Sequence, residues 1–286
     1  MAAYTQSLTT INGGKVPLLG LGTFRSSAQE CVEAVRAAVE AGYRCLDTAN
    51  FYENEEYVGQ GVRECGINRE ELFITSKIWP TGYQTPEVNI EYSLRSLNVG
   101  YIDLYLLHWP GLDKDARYRA FEKILEYKQK GLFREIGVSN FKREHLEDLI
   151  AKFGVVPAVN QIELSPWLQK REDYAYCQEK GIVMTACVPF AKGNILSDEK
   201  LMRIAEKHGK NVGQVILRWN IQRGNCVVPK SSKPARIRSN AEIFDFTLDD
   251  EDMQIIFGME NGNHYCSDSS TFTGDFWNLN DYLSKR

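Results

Sequence analysis

A regular alternation of strand-like and helical segments predicts an α/β protein folded as a (β/α)8 TIM barrel. From about residue 18, short apolar runs recur at intervals of roughly 25 to 30 residues, and amphipathic helical patterns separate them. Eight such runs fit a closed barrel better than an open sheet. Because no Pro/Ser-rich linker interrupts the pattern, we expect residues 1–286 to form a single domain.

The individual elements follow from local apolar periodicity. The strand candidates are Leu18–Leu21, Arg44–Asp47, Leu72–Ser76, Ile102–His108, Glu135–Val138, Ala158–Ile162, Val183–Cys187 and Cys226–Val228. The helix candidates are Cys31–Ala41, Glu55–Glu64, Val88–Leu97, Arg119–Lys130, Arg143–Lys152, Asp173–Lys180 and Val212–Gln222. In the first helix, Val32, Val35 and Val39 form a stripe that faces the barrel. Strand–helix–strand order implies right-handed crossovers and a parallel sheet.

Two segments lie outside this repeat. Residues 8–17 contain two short strand patterns joined by Asn12-Gly13-Gly14, which predicts a hairpin that plugs the barrel bottom. After residue 258 the chain becomes rich in Gly, Asn, Ser and Asp but keeps Phe272, Phe276 and Trp277. We expect this tail, residues 258–286, to fold over the barrel mouth.

Composition excludes several classes of function. A net charge of −4 favours neither nucleic acid nor an anionic membrane surface as a partner. The seven scattered cysteines have no C-x-x-C pattern, which indicates reduced thiols in a cytosolic protein and no metal site. The N-terminal residues do not resemble a signal peptide, and no run is long enough to span a membrane. We expect a cytoplasmic protein and, because no heptad pattern is present, a monomer.

Four polar residues follow successive predicted strands: Asp47, Tyr52, Lys77 and His108. The active sites of parallel barrels are built from residues at the carboxyl ends of the strands. A tyrosine hydroxyl has a pKa of about 10, and a nearby lysine would lower it; a shift of two units corresponds to ~2.7 kcal/mol. Asp47 would orient Lys77, and His108 would donate a hydrogen bond or relay a proton. Such a group can protonate a carbonyl oxygen.

Each of the four also has a simpler explanation. One tyrosine of 14 is more often a core residue, a single lysine is usually solvated, and a single aspartate often ends a turn. The step from His108 to Pro110 is compatible with a purely structural role. Their joint position at strand exits is the observation that favours catalysis.

A dinucleotide site of the Rossmann type is excluded, because the third position after Gly20 and Gly22 is Arg25 rather than glycine. A barrel binds such a cofactor through its late loops. Lys230, Ser231 and Arg236 offer two cations and a hydroxyl, which suit the 2′-phosphate of NADPH.

The same residues fit a second interpretation. Lys230, Lys233, Arg236 and Arg238 would also form an ordinary solvated basic patch, and the residues alone leave both interpretations open.

A series of motifs between about residues 8 and 257 resembles the aldo-keto reductase family. They are Gly20-Leu21-Gly22-Thr23, residues 42–49 with Tyr52, Thr75-Ser76-Lys77, residues 103–110, residues 136–141, Asn160-Gln161-Ile162-Glu163, and Pro229-Lys230-Ser231 with Arg236, Ile237 and Asn240. The resemblance implies an NADPH-dependent reductase on a (β/α)8 barrel, with Tyr52 as general acid supported by Asp47, Lys77 and His108. Loop lengths are similar to those of short microbial and protozoal members, such as prostaglandin F synthase-like and diketogluconate reductase-like enzymes.

The resemblance also implies the cofactor contacts and favours the phosphate interpretation of the basic residues. Ser139, Asn140 and Gln161 would bind the nicotinamide carboxamide, and Thr23 and Asp47 would lie on the ribose side. The full set of implied NADPH contacts is Gly22, Thr23, Asp47, Ser139, Asn140, Gln161, Cys187, Lys230, Ser231, Arg236 and Asn240.

The chain departs from the family pattern at three positions. Cys187, within Ala186-Cys187-Val188-Pro189-Phe190, replaces the aromatic ring, followed by Ser, that stacks on the nicotinamide. Ser239 stands where a carboxamide or carboxylate usually contacts adenine, and Phe24 stands where many members have Trp.

Phe24, Phe51, Trp79 and Trp109 follow the first four strands and predict an aromatic pocket for a small carbonyl substrate. Taken singly, each ring would equally pack a loop. The short loop after His108 leads us to expect an open pocket that accepts many aldehydes.

Two other functions remain compatible with the sequence. One is an NADPH-binding regulatory or structural protein on the same barrel without turnover, which the missing ring at Cys187 favours. The other is an alcohol dehydrogenase that works in the oxidative direction, against which the candidate 2′-phosphate residues argue.

Overall fold

Eight parallel strands form the centre of the computed structural model, which describes residues 6–285. They are β3 (Gly20–Gly22), β4 (Cys45–Asp47), β5 (Phe73–Ile78), β6 (Ile102–Leu107), β7 (Phe133–Ser139), β8 (Val159–Glu163), β9 (Val183–Cys187) and β10 (Cys226–Val227). Each strand pairs with the next in chain order. Parallel bridges from Leu19 to Val227 and from Gly22 to Lys230 close the ring between β10 and β3. The predicted (β/α)8 barrel is confirmed.

Helices surround the strands. They are α1 (Ala28–Glu40), α2 (Glu55–Glu64), α3 (Pro86–Leu97), α4 (Lys114–Gln129), α5 (Arg143–Phe153), α6 (Arg171–Lys180), α7 (Glu199–Lys207), α8 (Val212–Gln222), α9 (Pro234–Ala241), α10 (Asp250–Phe257) and α11 (Leu279–Ser284). The sequence analysis missed α7, α9, α10 and α11, because strict alternation leaves no place for a second helix between β9 and β10 or for helices after β10. Residues 1–5 and residue 286 lie outside the described residues. The first of these ranges is part of the N-terminal segment that was expected not to be a signal peptide.

Local sequence explains where these helices begin and which side they bury. Asn211 precedes α8 and accepts a hydrogen bond from the Gln214 N–H at 3.0 Å, while the Gln214 side chain accepts one from the Asn211 N–H at 2.9 Å. This reciprocal pair satisfies two donors that a helix start leaves free. In α1 the predicted stripe of Val32, Val35 and Val39 is buried.

A hairpin closes the barrel bottom, as predicted. Its strands are β1 (Ser7–Thr9) and β2 (Lys15–Pro17), which pair in antiparallel fashion. Val16 packs into a buried cluster with Leu104, Leu106 and other inward side chains. The turn is held by Glu135 at the base of the barrel, which accepts a hydrogen bond from Thr10 Oγ1 at 2.8 Å.

The tail crosses the opposite end of the barrel, also as predicted. Trp79 Nε1 donates to the carbonyl of Gly274 at 2.8 Å, and Trp277 Nε1 donates to Glu53 Oε1 at 2.7 Å. Nearer β8, the backbone N–H groups of Tyr265 and Cys266 donate to the Glu163 carboxylate. These contacts fasten the tail over the mouth at several points.

Between residues 6 and 285, no helix combines the length and the apolar character needed to cross a membrane.

One buried acid is not part of the mouth. Glu55, in the first turn of α2, is 2 % exposed and accepts a hydrogen bond from Ser76 Oγ. Burial raises the pKa of Glu55 to about 7, from an ordinary value of 4.5. The folded state therefore holds the Glu55 proton more tightly than the unfolded chain does. The stability that protonated Glu55 contributes is present in full below the ordinary carboxyl pKa. This contribution is lost as the pH rises through about 7, where Glu55 ionises in the folded protein.

Glu55→Gln mimics the protonated acid and should remove this pH dependence. We expect the variant to match the wild type at pH 4.5 and to exceed it at pH 8.5 by up to ~3 kcal/mol in free energy of unfolding. Urea unfolding at the two pH values measures this difference. Glu40→Gln, an exposed carboxyl at the end of α1, is the control and should show no such trend. An equal effect of Glu55→Gln at both pH values would contradict the prediction.

Candidate active site

The four candidate catalytic residues meet at the barrel mouth. Asp47 is the last residue of β4, and Tyr52 lies in the 3-10 turn Asn50–Tyr52 that follows it. Lys77 is the next-to-last residue of β5, because that strand runs to Ile78, beyond the predicted end. His108 follows β6 directly. The four side chains therefore come from three neighbouring strands rather than from four.

Lys77 is fully buried, with no exposed surface. Its ammonium group donates to Asp47 Oδ1 at 2.6 Å, to the Thr48 carbonyl at 2.8 Å and to the Tyr52 hydroxyl at 3.3 Å. An ammonium has three hydrogens to donate, so each finds an acceptor. A cation that is buried away from water is stable only if it is paired and hydrogen-bonded in this way. The cation is thereby aimed at the Tyr52 oxygen.

Asp47 connects this cation to the far side of the barrel. Its second oxygen, Oδ2, accepts a hydrogen bond from Gln161 Nε2 on β8 at 2.7 Å. The carboxylate is itself only 3 % exposed. Asp47 thus holds Lys77 on one side and Gln161 on the other.

The expected lowering of the Tyr52 pKa by Lys77 is not what the structure indicates. Burial raises the pKa of Tyr52 well above its ordinary value, and the Asp47 charge raises it further. The physical reason is that Lys77 is already paired with Asp47, so the net charge beside the hydroxyl is small. Tyr52 consequently keeps its proton across the neutral range, as a proton donor must.

His108 is held in its neutral form. Burial and the charge of Lys77 lower the pKa of His108 well below its ordinary value. The ring packs edge-on against Trp79, with centroids 5.0 Å apart, and against Tyr52 at 5.5 Å. Nδ1 is buried without a hydrogen-bond partner in the described part of the chain. A neutral imidazole carries one N–H donor and one acceptor nitrogen.

The candidates for carboxamide binding form one cluster beside this group. Ser139 Oγ donates to the Gln161 carbonyl at 2.8 Å, and Asn140 Nδ2 donates to the His108 carbonyl at 2.9 Å. Asn140 adopts a left-handed backbone, with φ of 62°, which asparagine tolerates better than most residues. Ser139, Asn140 and Gln161 therefore lie between His108 and Asp47.

The candidates for phosphate binding lie on the rim beside β3. The bridge between Gly22 and Lys230 places Lys230 there, and Arg236 lies in the first turn of α9. Both cations are exposed, whereas Ser231 and Asn240 are buried. Neither cation forms a salt bridge within residues 6–285, so both remain available to an anion. On the same side of the mouth, Thr23 Oγ1 donates to the Asp47 carbonyl at 2.9 Å.

Cys187 ends β9 and has an unexpected neighbour. In the sheet register Cys187 lies opposite Glu163 of β8, and the Glu163 carboxylate binds the backbone of Tyr265 and Cys266. Cys187 and Cys266 therefore both adjoin Glu163, and the Cys266 side chain raises the pKa of the Cys187 thiol. Sequence reasoning missed the roles of Cys266 and Glu163, because nothing in a local pattern connects a tail residue to a strand residue that precedes it by 103 positions.

Aromatic side chains crowd the candidate substrate pocket. Phe51 stacks on Trp79 with ring centroids 3.9 Å apart, and Phe24 lies 5.0 Å from Tyr52. Trp109 packs against Phe272 of the tail at 4.2 Å.

The expected open pocket is covered on one side only, because Phe24 stays 37 % exposed and Phe51 is half-buried. Trp79 and Trp109 are only 3 % and 7 % exposed. The loop after His108 is short, as predicted, but the tail covers the mouth in its place and adds Phe276 and Trp277 to the aromatic cluster.

Metal binding has no support in the described ranges. Nowhere in residues 6–285 do three or more His, Cys, Asp or Glu side chains cluster in a way that could hold a metal ion.

A family model for the aldo/keto reductase family matches residues 18–260, which is most of the chain. The chain belongs to the aldo-keto reductase family. The resemblance seen in the sequence motifs is confirmed, and with it the assignment to the oxidoreductases.

Individual aldo-keto reductases agree with this assignment. Glyoxal reductase of Bacillus subtilis is 49 % identical over 249 residues, covering 86 % of this chain and 89 % of the relative. Methylglyoxal reductase DkgA of Escherichia coli is 39 % identical over 265 residues, covering 92 % and 96 %. The crystal structure of a mutant of Gox0644 in complex with NADPH superimposes with a TM-score of 0.88 at 38 % identity, covering 93 % of this chain and 98 % of that one.

The buried ion pair makes a quantitative prediction. Lys77→Met leaves Asp47 buried without its cation and should lower the free energy of unfolding by ~3 to 5 kcal/mol. Asp47→Asn should be similarly destabilising, because it isolates Lys77. The double variant removes both charges, so we expect a loss well below the sum of the single losses. Urea unfolding of the four proteins at pH 7 measures the coupling. Strictly additive losses would show that the two charges do not stabilise each other.

Proposed function

We propose that this protein is an NADPH-dependent carbonyl reductase in which Tyr52 is the general acid. The observation that carries the proposal is the Lys77 ammonium, which is buried and donates to Asp47, Thr48 and the Tyr52 hydroxyl. When bound, NADPH supplies the hydride that reduces the carbonyl carbon. The steps below concern the residues of this chain.

Tyr52 provides the proton. Because its pKa is raised, the hydroxyl is protonated before reaction. As the carbonyl oxygen gains negative charge it becomes a far stronger base than tyrosinate, and the proton moves to it from Tyr52 Oη. The Lys77 cation, 3.3 Å away, stabilises the charge that remains on Tyr52. Asp47 keeps Lys77 in this position throughout.

His108 orients the carbonyl. As a neutral ring beside Tyr52 and Trp79, it offers an N–H to the substrate oxygen without placing a second full charge in the site. This role needs no proton exchange by His108. Asp47, Lys77 and His108 therefore position and polarise, while Tyr52 alone transfers a proton.

The residues around the mouth fit NADPH. Ser139, Asn140 and Gln161 would hold the carboxamide, since their side chains meet beside His108 and Asp47. Gly22, Thr23 and Asp47 would line the ribose side of that position. Cys187 would face the nicotinamide ring with a sulfur atom, which packs against rings but does not stack as an aromatic does.

The other end of NADPH would lie on the rim beside β3. Lys230, Ser231 and Arg236 would bind the 2′-phosphate, and Arg236 lies in the first turn of α9, where a helix favours an anion. Asn240 would contact the adenine side. The NADPH complex of Gox0644 supports the choice of cofactor by similarity.

The substrate class follows from the pocket and the relatives. Phe24, Phe51, Trp79 and Trp109 line a mouth that the tail covers, which favours compact carbonyl compounds over bulky ones. The named activities of the Bacillus and Escherichia relatives, glyoxal and methylglyoxal reduction, are of this kind. We therefore propose small aldehydes and dicarbonyl compounds as substrates.

A binding protein without turnover is the second candidate, and Cys187 is the observation that favours it. Without a stacking ring, the nicotinamide loses one of its expected contacts. NADPH binding without aldehyde-dependent oxidation of the cofactor would establish that alternative.

Tyr52→Phe tests the acid. The change removes one oxygen and should lower kcat on the order of 10³-fold, while the Kd for NADPH stays within about twofold of wild type. NADPH fluorescence titration, followed by methylglyoxal-dependent loss of the signal, measures both. Tyr101→Phe makes the same change near the start of β6 and serves as control. A Tyr52→Phe enzyme with wild-type kcat would remove Tyr52 from the mechanism.

Lys230→Ala and Arg236→Ala test the phosphate contacts. Each should weaken NADPH binding by about tenfold and NADH binding by less than about twofold, because only NADPH carries the 2′-phosphate. Lys233→Ala and Arg238→Ala are matched controls from the same basic patch. Equal losses for all four variants, or equal losses for the two cofactors, would favour a general solvated patch instead.

A further inference from the structure

Two of the seven cysteines meet at the barrel mouth. Cys187 is the last residue of β9, and Cys266 lies in the tail 79 residues later; both are half-buried. Glu163 brings them together, because it lies opposite Cys187 in the sheet register and accepts the Cys266 N–H at 2.8 Å. The Tyr265 N–H donates to the same carboxylate at 2.9 and 3.0 Å. Both cysteines therefore adjoin the same carboxylate, at the carboxyl end of β9.

This pair lies within reach of the reacting groups. Ionisation of Cys187 or Cys266 would raise the pKa of Tyr52, so both thiols belong to the electrostatic surroundings of its hydroxyl. Glu163 itself is 4 % exposed and takes no part in the proposed reaction. A buried carboxylate that accepts from two backbone N–H groups therefore serves to hold the tail, and Cys266 with it, at the end of β9.

We propose that Cys187 and Cys266 are a redox-active pair which hydrogen peroxide converts to a disulfide, and that this bond locks the tail across the nicotinamide face. The first part concerns the two thiols alone. The second part, loss of cofactor binding and turnover, rests on the proposed function.

The chemistry balances with one equivalent of peroxide. The Cys266 sulfur attacks a peroxide oxygen, the O–O bond breaks, and a sulfenic acid and water result. The Cys187 sulfur then attacks the sulfenic sulfur, an S–S bond forms, and the hydroxyl leaves as a second water. Two thiols are oxidised by two electrons in total, and peroxide is reduced to two waters. A dithiol such as dithiothreitol reverses the bond by exchange.

The order of attack follows from the surroundings of each thiol. The neighbouring Cys266 side chain and burial raise the pKa of the Cys187 thiol well above its ordinary value, so Cys187 reacts poorly on its own. Cys266 is in the half-exposed tail and meets the oxidant first. Cys187 then acts as the resolving thiol.

The remaining cysteines lack this arrangement. Cys31, Cys45, Cys177 and Cys226 are buried. Cys65 is half-buried like the proposed pair, but its sulfur bonds the Val62 carbonyl at the end of α2. Cys65 therefore provides a matched control.

Mass spectrometry of the full-length protein tests the bond directly. After brief treatment with hydrogen peroxide, the wild type should lose the mass of two hydrogens, and peptide mapping should join Cys187 to Cys266. Cys65→Ser should behave in the same way, whereas Cys187→Ser and Cys266→Ser should not lose this mass. Glu163→Gln, which weakens the clamp, should slow the reaction several-fold. A disulfide at other positions, such as Cys45 to Cys226, or stable sulfenic acid at Cys266 without a bond, would overturn the pairing.

NADPH fluorescence measures the functional consequence on the same samples. The oxidised protein should bind NADPH at least tenfold more weakly than the reduced protein, and dithiothreitol should restore binding. If the disulfide forms but NADPH affinity is unchanged, the locking of the tail is refuted while the bond stands. If the reduced protein binds no NADPH at all, the proposed function fails, and the mass measurement still decides the pairing.

Discussion

The barrel keeps Lys77 completely out of water, and the arrangement of the mouth depends on how that charge is neutralised. Asp47, the Thr48 carbonyl and the Tyr52 hydroxyl take its three hydrogens. Because a buried ion pair stabilises the fold only when its geometry is satisfied, the positions of β4 and β5 and of the turn after β4 are tied together. Gln161 extends the network to β8 through the second oxygen of Asp47. The same contacts that stabilise the buried Lys77 cation also direct it toward the hydroxyl of Tyr52, the proposed acid.

The tail provides a second constraint, which acts on the mouth from outside the barrel. Its aromatic rings bury Trp79 and Trp109, and its backbone is bonded to Glu163 and Trp79. Substrate access, the environment of Tyr52 and the Cys187–Cys266 contact therefore all involve the same short segment. In the proposed enzyme, any change that moves or fixes this segment would affect binding and turnover together.

Much of the architecture could be read from the sequence, since the eight strands and most of the helices have strong periodic patterns. The four proposed catalytic residues could be read as well, because a parallel barrel brings strand exits to one end whatever the exact strand boundaries are. The error of one residue at Lys77 and the omission of α7 did not affect that conclusion. The pKa of Tyr52 was harder to predict from the sequence. Lys77 was expected to lower it, but the burial of Tyr52 and the charge of Asp47, which pairs with Lys77, raise it instead.

The sequence by itself determined the barrel, the hairpin plug, the family and the set of polar residues at the strand exits, because these depend on local periodicity and on motif order. Only the tertiary structure decided that the tail closes the mouth and that Cys266 reaches Cys187. Those contacts join residues far apart in the chain, through a backbone-to-carboxylate clamp at Glu163. A local pattern carries no information about such a clamp, since the sequence does not show which carboxylate is buried beside which backbone N–H of the tail.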